Sequence, residues 1–378
     1  MNKLRPFTKR IPAAEQANFS GGSKFSNGDT IMARITPCLE NGKTAFVDIL
    51  APDEIAFGST EFIVMRAKSG VSDPQFVYYL ATSPAFRSVA IQSMVGSSGR
   101  QRVQQSVLNE LKLTVPPLRE QRKIGAFLAG LDQKIDVNYK ISKNLEQQAK
   151  LLVKSWLVDY EPFGGVMPDD WEPISLASIA DFIPGYSYKR AQLQPSNVAM
   201  ATIKNFDRDG GFKLDGFKPL VPSSKIKPCH YVEKFDTVVA LTDLTQKADV
   251  IGNAEPIISL AGYDSIVFSL DLVKVVPKSA KISKFILAAI LQSPGFKSHC
   301  MGYVNGTTVL HLSKKALPDY ILNLPADTTV LKPLDNALQA LYEGMANAVE
   351  ESRKLRELRD SLLPRFLSGE IDLSAVEL

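Results

Sequence analysis

The chain has 378 residues, of which 45% are hydrophobic and 22% charged, and its formal net charge is +4. This composition is that of an ordinary globular protein and excludes wholesale disorder, while the length favours two or three domains. The longest wholly apolar run, Phe285–Leu291, is far shorter than the ~20 residues of a membrane span, and no apolar signal segment follows the basic N-terminus.

Cysteine and histidine are rare and scattered along the chain: Cys38, Cys229, Cys300, His230, His299 and His311. An odd, dispersed set of cysteines fits a reducing compartment and excludes a disulfide scaffold or a four-cysteine zinc site. We therefore expect a cytoplasmic protein without a metal centre.

Short runs rich in β-branched and aromatic residues, bounded by Gly, Pro, Asn and Asp, predict strands. These runs are Asp29–Ile35, Phe62–Arg66, Thr237–Thr242 and Ile266–Val276. Two apolar runs that precede Ser-Pro turns, Phe76–Leu80 and Phe285–Leu291, predict short buried helices. The globular parts are therefore predicted to be mixed α and β, of the α+β class, without the strict strand–helix alternation of a doubly wound sheet.

A long amphipathic helix is predicted after Pro116-Pro117, in a stretch with no further proline until Pro162. Its seam positions fall in alternate steps of four and three, which is the spacing of a coiled coil. The seam consists of Ile124, Leu128, Leu131, Ile135, Asn138, Ser142, Leu145, Ala149, Leu152 and Trp156.

A second seam lies near the C-terminus, and each member follows its counterpart by 210 residues: Leu334, Leu338, Leu341, Met345, Ala348, Ser352, Leu355, Arg359, Leu362 and Phe366. The same offset relates Ser83–Ser88 to Ser293–Ser298, and an offset of 207 relates Asp29–Ala33 to Asp236–Ala240. We therefore predict a tandem duplication in which each globular domain precedes a long helix.

The two helical stretches carry opposite net charges, +3 over residues 118–160 and −3 over residues 331–378. We predict that they pair as an antiparallel coiled coil. The alternative is that each helix packs only on its own domain. The residues expected to pair are Leu128, Leu131, Ile135, Leu145, Leu152, Leu338, Leu341, Met345, Leu355 and Leu362.

The predicted segments are 1–115 and 161–327 for the domains, 116–160 for the first helix and 328–378 for the second helix with its tail.

Motifs of catalysis are incomplete in this sequence. Asn41–Thr44 looks like the end of a phosphate-binding loop, but Pro37 occupies the position that needs a glycine. Gly96–Gly99 does not have the spacing of a nucleophile elbow, and Cys229-His230 lacks a third metal ligand. We therefore predict no catalytic residue and no metal site.

The segment Val115–Ile124, followed by Leu131–Ile135, resembles the start of a spacer in the specificity (S) subunits of type I restriction–modification enzymes. Arg359–Ile371 is similar to the usual ending of that family. Trp171–Leu176 resembles the opening of a target recognition domain, and Gly28–Ile35 resembles an internal strand of one. The resemblance covers essentially the whole chain.

The resemblance implies that two target recognition domains each read one half of a split DNA site. Two antiparallel helical spacers would act as a ruler and dock two methyltransferase (M) subunits, which supply S-adenosylmethionine and methylate adenine N6. Restriction (R) subunits would add translocation and cleavage with ATP and Mg²⁺. The chain itself would be a non-catalytic cytoplasmic subunit without a cofactor, bound to double-stranded DNA and to the M and R subunits.

Two departures from the family pattern are visible. Pro325–Leu331 replaces the Glu-Gln signature at the start of the second helix, so we expect docking to differ there. Trp171 lies 65 residues before Asp236, whereas Asp29 has only 28 residues before it. The first domain therefore lacks a Trp opening. We expect it to be shortened, through a missed upstream start codon or a partial gene, and less stable than the second domain.

Polar side chains in the loop before each spacer, and in further polar segments of each domain, predict the DNA contacts, because Arg, Lys, Asn, Gln, Ser and Thr bind base edges and phosphates. The predicted residues of the first domain are Arg34, Lys43, Thr44, Arg100, Gln101 and Arg102. Those of the second domain are Lys189, Arg190, Gln246, Lys247, Asn305, Thr307, Thr308 and His311.

Two other classes of function stay open from the sequence. A coiled-coil scaffold that binds only proteins would show no salt-dependent DNA binding. A nucleotide-dependent enzyme would use Lys43, and Pro37 argues against it.

Overall fold

The structure is a computed structural model that describes residues 1–208 and 210–371, so the last part of the predicted segment 328–378 lies outside the described residues. The chain divides into two compact units. The first unit combines Met1–Val137 with the described part of Lys354–Leu378, and the second is Asn138–Arg353. Each unit therefore contains one globular domain and segments of both long helices.

The elements up to the end of the first long helix are β1 (Ser23–Phe25), β2 (Thr30–Ala33), β3 (Thr44–Phe46), β4 (Ala56–Gly58), β5 (Phe62–Met65), α1 (Pro74–Thr82), α2 (Pro84–Gln92), α3 (Gln105–Glu110) and α4 (Leu118–Leu157). The strands after it are β6 (Trp171–Ser175), β7 (Ala180–Pro184), β8 (Val198–Ala201), β9 (Lys218–Pro219), β10 (Tyr231–Val232), β11 (Thr237–Ala240), β12 (Thr242–Asp243), β13 (Ala254–Pro256), β14 (Ser265–Phe268), β15 (Leu272–Pro277), β16 (Val304–Asn305), β17 (Leu310–Leu312) and β18 (Ile321–Pro325). The helices after it are α5 (Leu176–Ile179), α6 (Lys284–Leu291), α7 (Pro294–Met301) and α8 (Lys332–Leu367). Short 3-10 turns lie at Glu161–Phe163, Arg190–Gln192, Ile203–Asn205, Leu214–Gly216, Pro228–His230 and Thr328–Leu331.

The first unit contains two small antiparallel sheets, one of order β3-β2-β5 and one formed by β1 and β4. In the larger sheet Ile31 lies opposite Ala45 on one side and Val64 on the other. All residues of the central strand β2 are buried. This burial explains why Ile31, Met32 and Ala33 of β2 are apolar in succession rather than alternating with polar residues.

The second unit contains larger sheets, of order β13-β11-β15-β7 and β10-β14-β8-β9. Two smaller sheets have the orders β12-β17-β16 and β18-β6. The pair β14–β8 is parallel, whereas β11 pairs antiparallel with both β13 and β15. Helix α6 is buried along nearly its whole length and forms the centre of a large core with Phe296 and Leu338.

Two runs that were predicted as single strands each form two strands in different sheets. Thr237–Thr242 divides into β11 and β12, and Ile266–Val276 divides into β14 and β15. The second division occurs where the chain turns and the N–H of Leu272 donates to Ser269 O at 2.9 Å. The high β propensity continues through such a turn, so the sequence does not indicate where a strand changes sheet.

The predicted short helices are confirmed as α1 and α6, and a second short helix follows each of them. Ser83 Oγ accepts a hydrogen bond from Phe86 N at 3.3 Å, and Ser293 Oγ accepts one from Phe296 N at 3.2 Å. A proline occupies the first helical turn after each serine. The Ser-Pro pairs therefore act as N-caps that start α2 and α7.

The first domain has fewer strand neighbours than the second. Strand β5 precedes β15 by 210 residues, but within residues 1–208 and 210–371 it pairs only with β2, whereas β15 lies between β11 and β7. The segment Leu111–Val115 precedes β18 by the same offset, yet among the described residues it has no strand partner. Its Leu113 and Val115 side chains are 42% and 41% exposed. Among the described residues, the sheets of the first domain thus have fewer strand neighbours than those of the second domain.

A buried glutamine in the first turn of α4 joins the helix to the first domain. Gln121 is 2% exposed, and its Nε2 donates to Val71 O at 3.2 Å and to Pro116 O at 2.8 Å. Its Oε1 accepts a hydrogen bond from Asp73 N at 3.1 Å. At the start of the second long helix the corresponding position is Leu331, which is buried in the core instead.

Within the first unit, α4 and α8 share a core with the domain. Leu128 is fully buried in a cluster that includes Leu363 and Phe366 of α8. A buried ion pair lies beside this cluster, since Arg359 Nη1 donates to Asp132 Oδ1 at 2.5 Å. The hydroxyl of Tyr79 donates to the other oxygen of Asp132 at 2.6 Å, so this carboxylate is satisfied from both sides.

Within the second unit the two helices again meet through polar and apolar contacts. The buried Asn138 donates from Nδ2 to Glu351 Oε2 at 2.8 Å. Leu145 packs on Gly344 so closely that a Cβ on Gly344 would lie 3.0 Å from its Cδ1. Tyr342 is buried against Phe285, with its ring nearly parallel to the phenylalanine ring.

The seam residues differ in how deeply they are buried. Leu128, Leu338 and Met345 are buried, as expected. Those that are only partly buried are Leu131, Ile135, Leu145, Leu152, Leu341, Leu355 and Leu362. Tyr342 and Leu363 are buried more deeply than their predicted neighbours Leu341 and Leu362. A helix of 3.6 residues per turn drifts away from an ideal seven-residue repeat, and this drift moves the contact by one residue.

We predict that amide hydrogen exchange is faster in β5 than in β15, because among the described strands β5 has a neighbour on one side only and β15 has one on each side. The central strands β2 and β11 serve as matched controls and should be protected to similar degrees. Exchange measured by mass spectrometry on the full chain tests this. Equal protection of β5 and β15 would show that the sheet of the first domain is as stable against local opening as that of the second.

Candidate nucleic-acid interface

The fold brings two predicted segments of the first domain together, and we call residues 34–37 and 95–103 the first loop pair. Arg102 forms β-bridges with both Ile35 and Val95. The N–H of Thr36 donates to Gln101 O at 3.0 Å, and Thr36 Oγ1 accepts from Gln101 N at 3.0 Å. Arg34, Arg100, Gln101 and Arg102 are therefore held in one place, although they come from distant parts of the sequence.

A carboxylate that the sequence analysis missed lies among these arginines. Arg102 donates to Glu61 Oε1 from Nε at 2.9 Å and from Nη2 at 2.7 Å, and Arg34 Nε lies 3.9 Å from Glu61 Oε2. Hydrogen bonds from Arg102 lower the pKa of Glu61 below its usual range, so this carboxylate stays ionised at neutral pH. Two guanidinium groups around one carboxylate leave the group with a net positive charge.

The remaining candidates of the first domain lie elsewhere. Lys43 Nζ donates to Met1 O at 3.2 Å, in the turn between β2 and β3. Thr44 is 1% exposed within β3, and its hydroxyl has no hydrogen-bond partner among the described residues. A side chain buried in this way does not reach a ligand on the surface, so Thr44 is left out of the interface that we propose below.

In the second domain the corresponding segments also meet, and we call residues 242–247 and 304–312 the second loop pair. In its three-stranded sheet, Thr242 and Asn305 lie on either side of His311. The side chain of Gln246 donates to Thr307 O across the pair. The exposed predicted residues of this loop pair are Gln246, Lys247, Asn305, Thr307, Thr308 and His311.

The two loop pairs share one arrangement of backbone hydrogen bonds, which we call the backbone frame. It joins three segments: the residue after the central strand, the residue before a neighbouring strand, and the second segment of the loop pair. In the first domain Arg34 N donates to Glu61 O at 2.9 Å, and Arg34 O accepts from Val103 N at 2.8 Å. In the second domain Leu241 N donates to Asp271 O at 2.8 Å, and Leu241 O accepts from Leu312 N at 2.8 Å. The frame is thus the same in both domains, while the side chains that it holds are different.

Lys189 and Arg190 occupy a separate exposed turn after β7. The N–H of Lys189 donates to Gln192 Oε1 at 2.8 Å, and the N–H of Leu193 donates to Arg190 O at 3.1 Å. These bonds shape the turn locally and do not involve the second loop pair.

The acidic residues of the frame, Glu61 and Asp271, are marked in the sequence by the repeat. Glu61 and Asp271 are related by the 210-residue offset of the repeat, and each stands directly before a strand. An isolated acidic residue before a strand usually indicates only a solvated loop end. The repeat gives it meaning, because the same type of charge recurs beside both loop pairs.

Within residues 1–208 and 210–371, no group of three or more His, Cys, Asp or Glu residues is arranged to hold a metal ion. No helix in the described part of the chain is long and apolar enough to cross a membrane.

Comparison with known proteins gives consistent matches. Residues 17–147 match the family described as type I restriction modification DNA specificity domain. The chain is 24% identical to the HindI specificity subunit of Haemophilus influenzae, over 92% of this chain and 87% of that protein. It is 23% identical to the MjaIX specificity subunit of Methanocaldococcus jannaschii, over 80% of this chain and 70% of that protein. A stretch of 104 residues is 36% identical to the Escherichia coli EcoAI specificity subunit, covering 28% of this chain and 18% of that protein.

A solved structure shares the fold. The S subunit of a type I restriction–modification system from M. genitalium aligns with 97% of this chain and 90% of its own length, at a TM-score of 0.51 and 15% identity. The domain match covers the first loop pair and most of α4, and the match to the HindI subunit extends over both domains. Residues 17–147 therefore belong to the type I restriction modification DNA specificity domain family, and the chain is similar over most of its length to specificity subunits of type I restriction–modification systems.

Proposed function

We propose that the chain reads a two-part site in duplex DNA, one half with each recognition domain, and that it docks M subunits along its long helices. The observation that carries this proposal is the backbone frame common to both loop pairs. A frame that stays constant while its side chains differ is suited to reading two different short sequences with one architecture.

The side chains of each loop pair match chemical groups that DNA presents in its grooves. The first pair has Arg34, Arg100, Gln101 and Arg102, of which arginine suits the O6 and N7 of guanine and glutamine suits adenine. The second pair is more neutral, with Asn305 and two threonines beside His311. We therefore propose that electrostatic attraction contributes more in the first domain, and hydrogen bonding to bases more in the second.

We also propose that α4 and α8 form an antiparallel coiled coil that arose with the tandem duplication. Asp132 contacts Arg359 within the first unit, and Asn138 contacts Glu351 within the second. Leu145, later in α4, contacts Gly344, earlier in α8. This order supports an antiparallel pairing. The 210-residue offset that relates the seams and the loop pairs supports the duplication.

Exposed apolar side chains near the end of α4 support its proposed role in docking M subunits. Leu151 of α4 is 65% exposed, and Val158, directly after the helix, is 60% exposed. Large exposed apolar groups that lie close together are typical of a protein-binding surface. In the proposed cytoplasmic complex, the M subunits supply S-adenosylmethionine and the adenine methyl transfer, and R subunits add the ATP- and Mg²⁺-dependent reactions.

We predict that a heptad inserted into both helices, within Lys140–Gln148 of α4 and within Gly344–Glu351 of α8, lengthens the gap between the half-sites. Seven residues add about 10 Å of helix, which corresponds to about three base pairs and turns the helix by only a small angle. The half-sites themselves should stay the same. Sequencing of methylated sites produced with the M subunits measures both properties.

An insertion into α4 alone is the matched control, because it shifts the contacts at Asn138 and Leu145 relative to each other and should reduce complex formation. A doubly lengthened chain that methylates sites with an unchanged gap would contradict the ruler proposal.

We predict that Arg100→Ala and Arg102→Ala impair recognition of the half-site read by the first domain and leave the other intact, whereas Asn305→Ala and His311→Ala do the reverse. An arginine fork on guanine contributes about 1–3 kcal/mol of discrimination. Binding to duplexes with single base changes, repeated over a range of salt concentrations, measures this. Equal weakening on every sequence would assign these residues to phosphate contacts, and no effect would remove them from the interface.

A further inference from the structure

Both the backbone and the side chain of Glu61 accept hydrogen bonds at the first loop pair. Its carbonyl accepts from Arg34 N at 2.9 Å, which fixes the residue directly before β5. Its carboxylate accepts from Arg102 Nε and Nη2 at 2.9 and 2.7 Å. The Glu61 side chain is 23% exposed, whereas that of Arg102 is 46% exposed. The carboxylate therefore lies beneath the guanidinium, and the arginine remains open to solvent.

The way in which Glu61 binds the guanidinium leaves part of it available. A guanidinium has five N–H donors in a planar fork. Glu61 uses the side edge formed by Nε and Nη2, so both hydrogens of Nη1 and one of Nη2 remain free of this carboxylate. These end-on hydrogens are the ones that can bind the O6 and N7 of guanine as a bidentate pair.

We propose that Glu61 is a positioning residue that orients Arg102 for reading a guanine in the half-site of the first domain. This inference rests on the function proposed above. Holding the long arginine side chain in one geometry before DNA arrives reduces the conformational entropy that is lost on binding. It also directs the fork to one base, whereas an unconstrained arginine would reach neighbouring bases and phosphates as well.

A second arginine near Glu61 also favours the charged form of its carboxylate. Arg34 Nε is buried and has no hydrogen-bond partner among the described residues, and Glu61 Oε2 lies 3.9 Å away. The carboxylate thus lies between two guanidinium groups and does not neutralise them both. The loop pair remains positive toward DNA while Arg102 stays fixed.

The second domain has an acidic residue at the equivalent place. Asp271 accepts from Leu241 N through its carbonyl, as Glu61 does from Arg34, and its Oδ1 accepts from Thr242 Oγ1 at 3.3 Å. The acidic residue there binds a short polar side chain opposite His311 instead of an arginine. The position is therefore a fixed acceptor in the frame, and the side chain that it holds differs between the domains.

The test uses the full chain assembled with its M subunits and measures binding to duplexes in which each base pair of the first half-site is changed in turn. Glu61→Gln keeps the size of the side chain but removes its charge. We expect it to reduce discrimination at one guanine by about tenfold, within the range of a bidentate arginine contact. Binding to non-specific DNA should be unchanged or stronger, because a negative charge has been removed.

Arg102→Lys should give the same loss at the same base pair, because lysine keeps the charge but has no fork. Glu61→Gln combined with Arg102→Ala should be no worse than Arg102→Ala alone, since Glu61 acts through Arg102. Glu54→Gln is the control for charge, because Glu54 is exposed and bonds to Ala51 N. It should not change base discrimination. Thermal unfolding confirms that each variant is folded.

Three results would overturn the inference. Glu61→Gln that weakens binding equally on all sequences would give Glu61 a purely structural role. A further loss of discrimination in the Arg102→Ala background would mean that Glu61 contacts a base itself. Arg102→Ala with both half-sites read normally would remove Arg102 from readout, although the proposed function would stand. A complex without any sequence-specific DNA binding would instead refute the proposed function.

Discussion

The packing of α4 against α8 is the interaction on which both units depend. In the first unit Leu128 and Phe366 complete a core that includes aromatic residues of the domain. In the second unit Leu338 and Tyr342 of α8 lie in the same core as α6. Burial of Leu-sized side chains contributes about 1.5–3 kcal/mol each, so the helices add substantially to the stability of the core that they share with each domain. The buried pair of Asp132 and Arg359 adds little net stability but disfavours other registers, since a shifted helix would leave both charges unpaired.

The helices provide the scaffold, and the loop pairs provide the chemistry that differs between the domains. In each domain a residue after a central strand, Arg34 or Leu241, donates its N–H to the residue directly before a neighbouring strand and accepts through its carbonyl from the second segment of the loop pair. Backbone bonds of this kind do not depend on side-chain identity. Substitutions at Arg102 or His311 can therefore alter what the surface binds without altering how it is built.

Much of the architecture could be predicted from the sequence, because its signals are periodic or repeated. The heptads predicted α4 and α8, and the Ser-Pro pairs predicted the breaks after α1 and α6. The exact seam positions were harder to predict, because helical drift makes Tyr342 rather than Leu341 the buried residue. Thr44 looked like a loop residue next to Lys43, but it lies in a buried strand. The role of Glu61 depends on a contact between segments about 40 residues apart, which no local pattern indicates. The DNA-binding residues themselves remain a prediction.

The most direct test of the account is to map the adenines that are methylated in DNA by this chain together with its M subunits. The account predicts a motif of two short, unrelated half-sites separated by a gap of fixed length and free sequence, because two loop pairs with different side chains are built on one frame. A single continuous motif, or two identical half-sites, would contradict the claim that each domain reads its own part of the target.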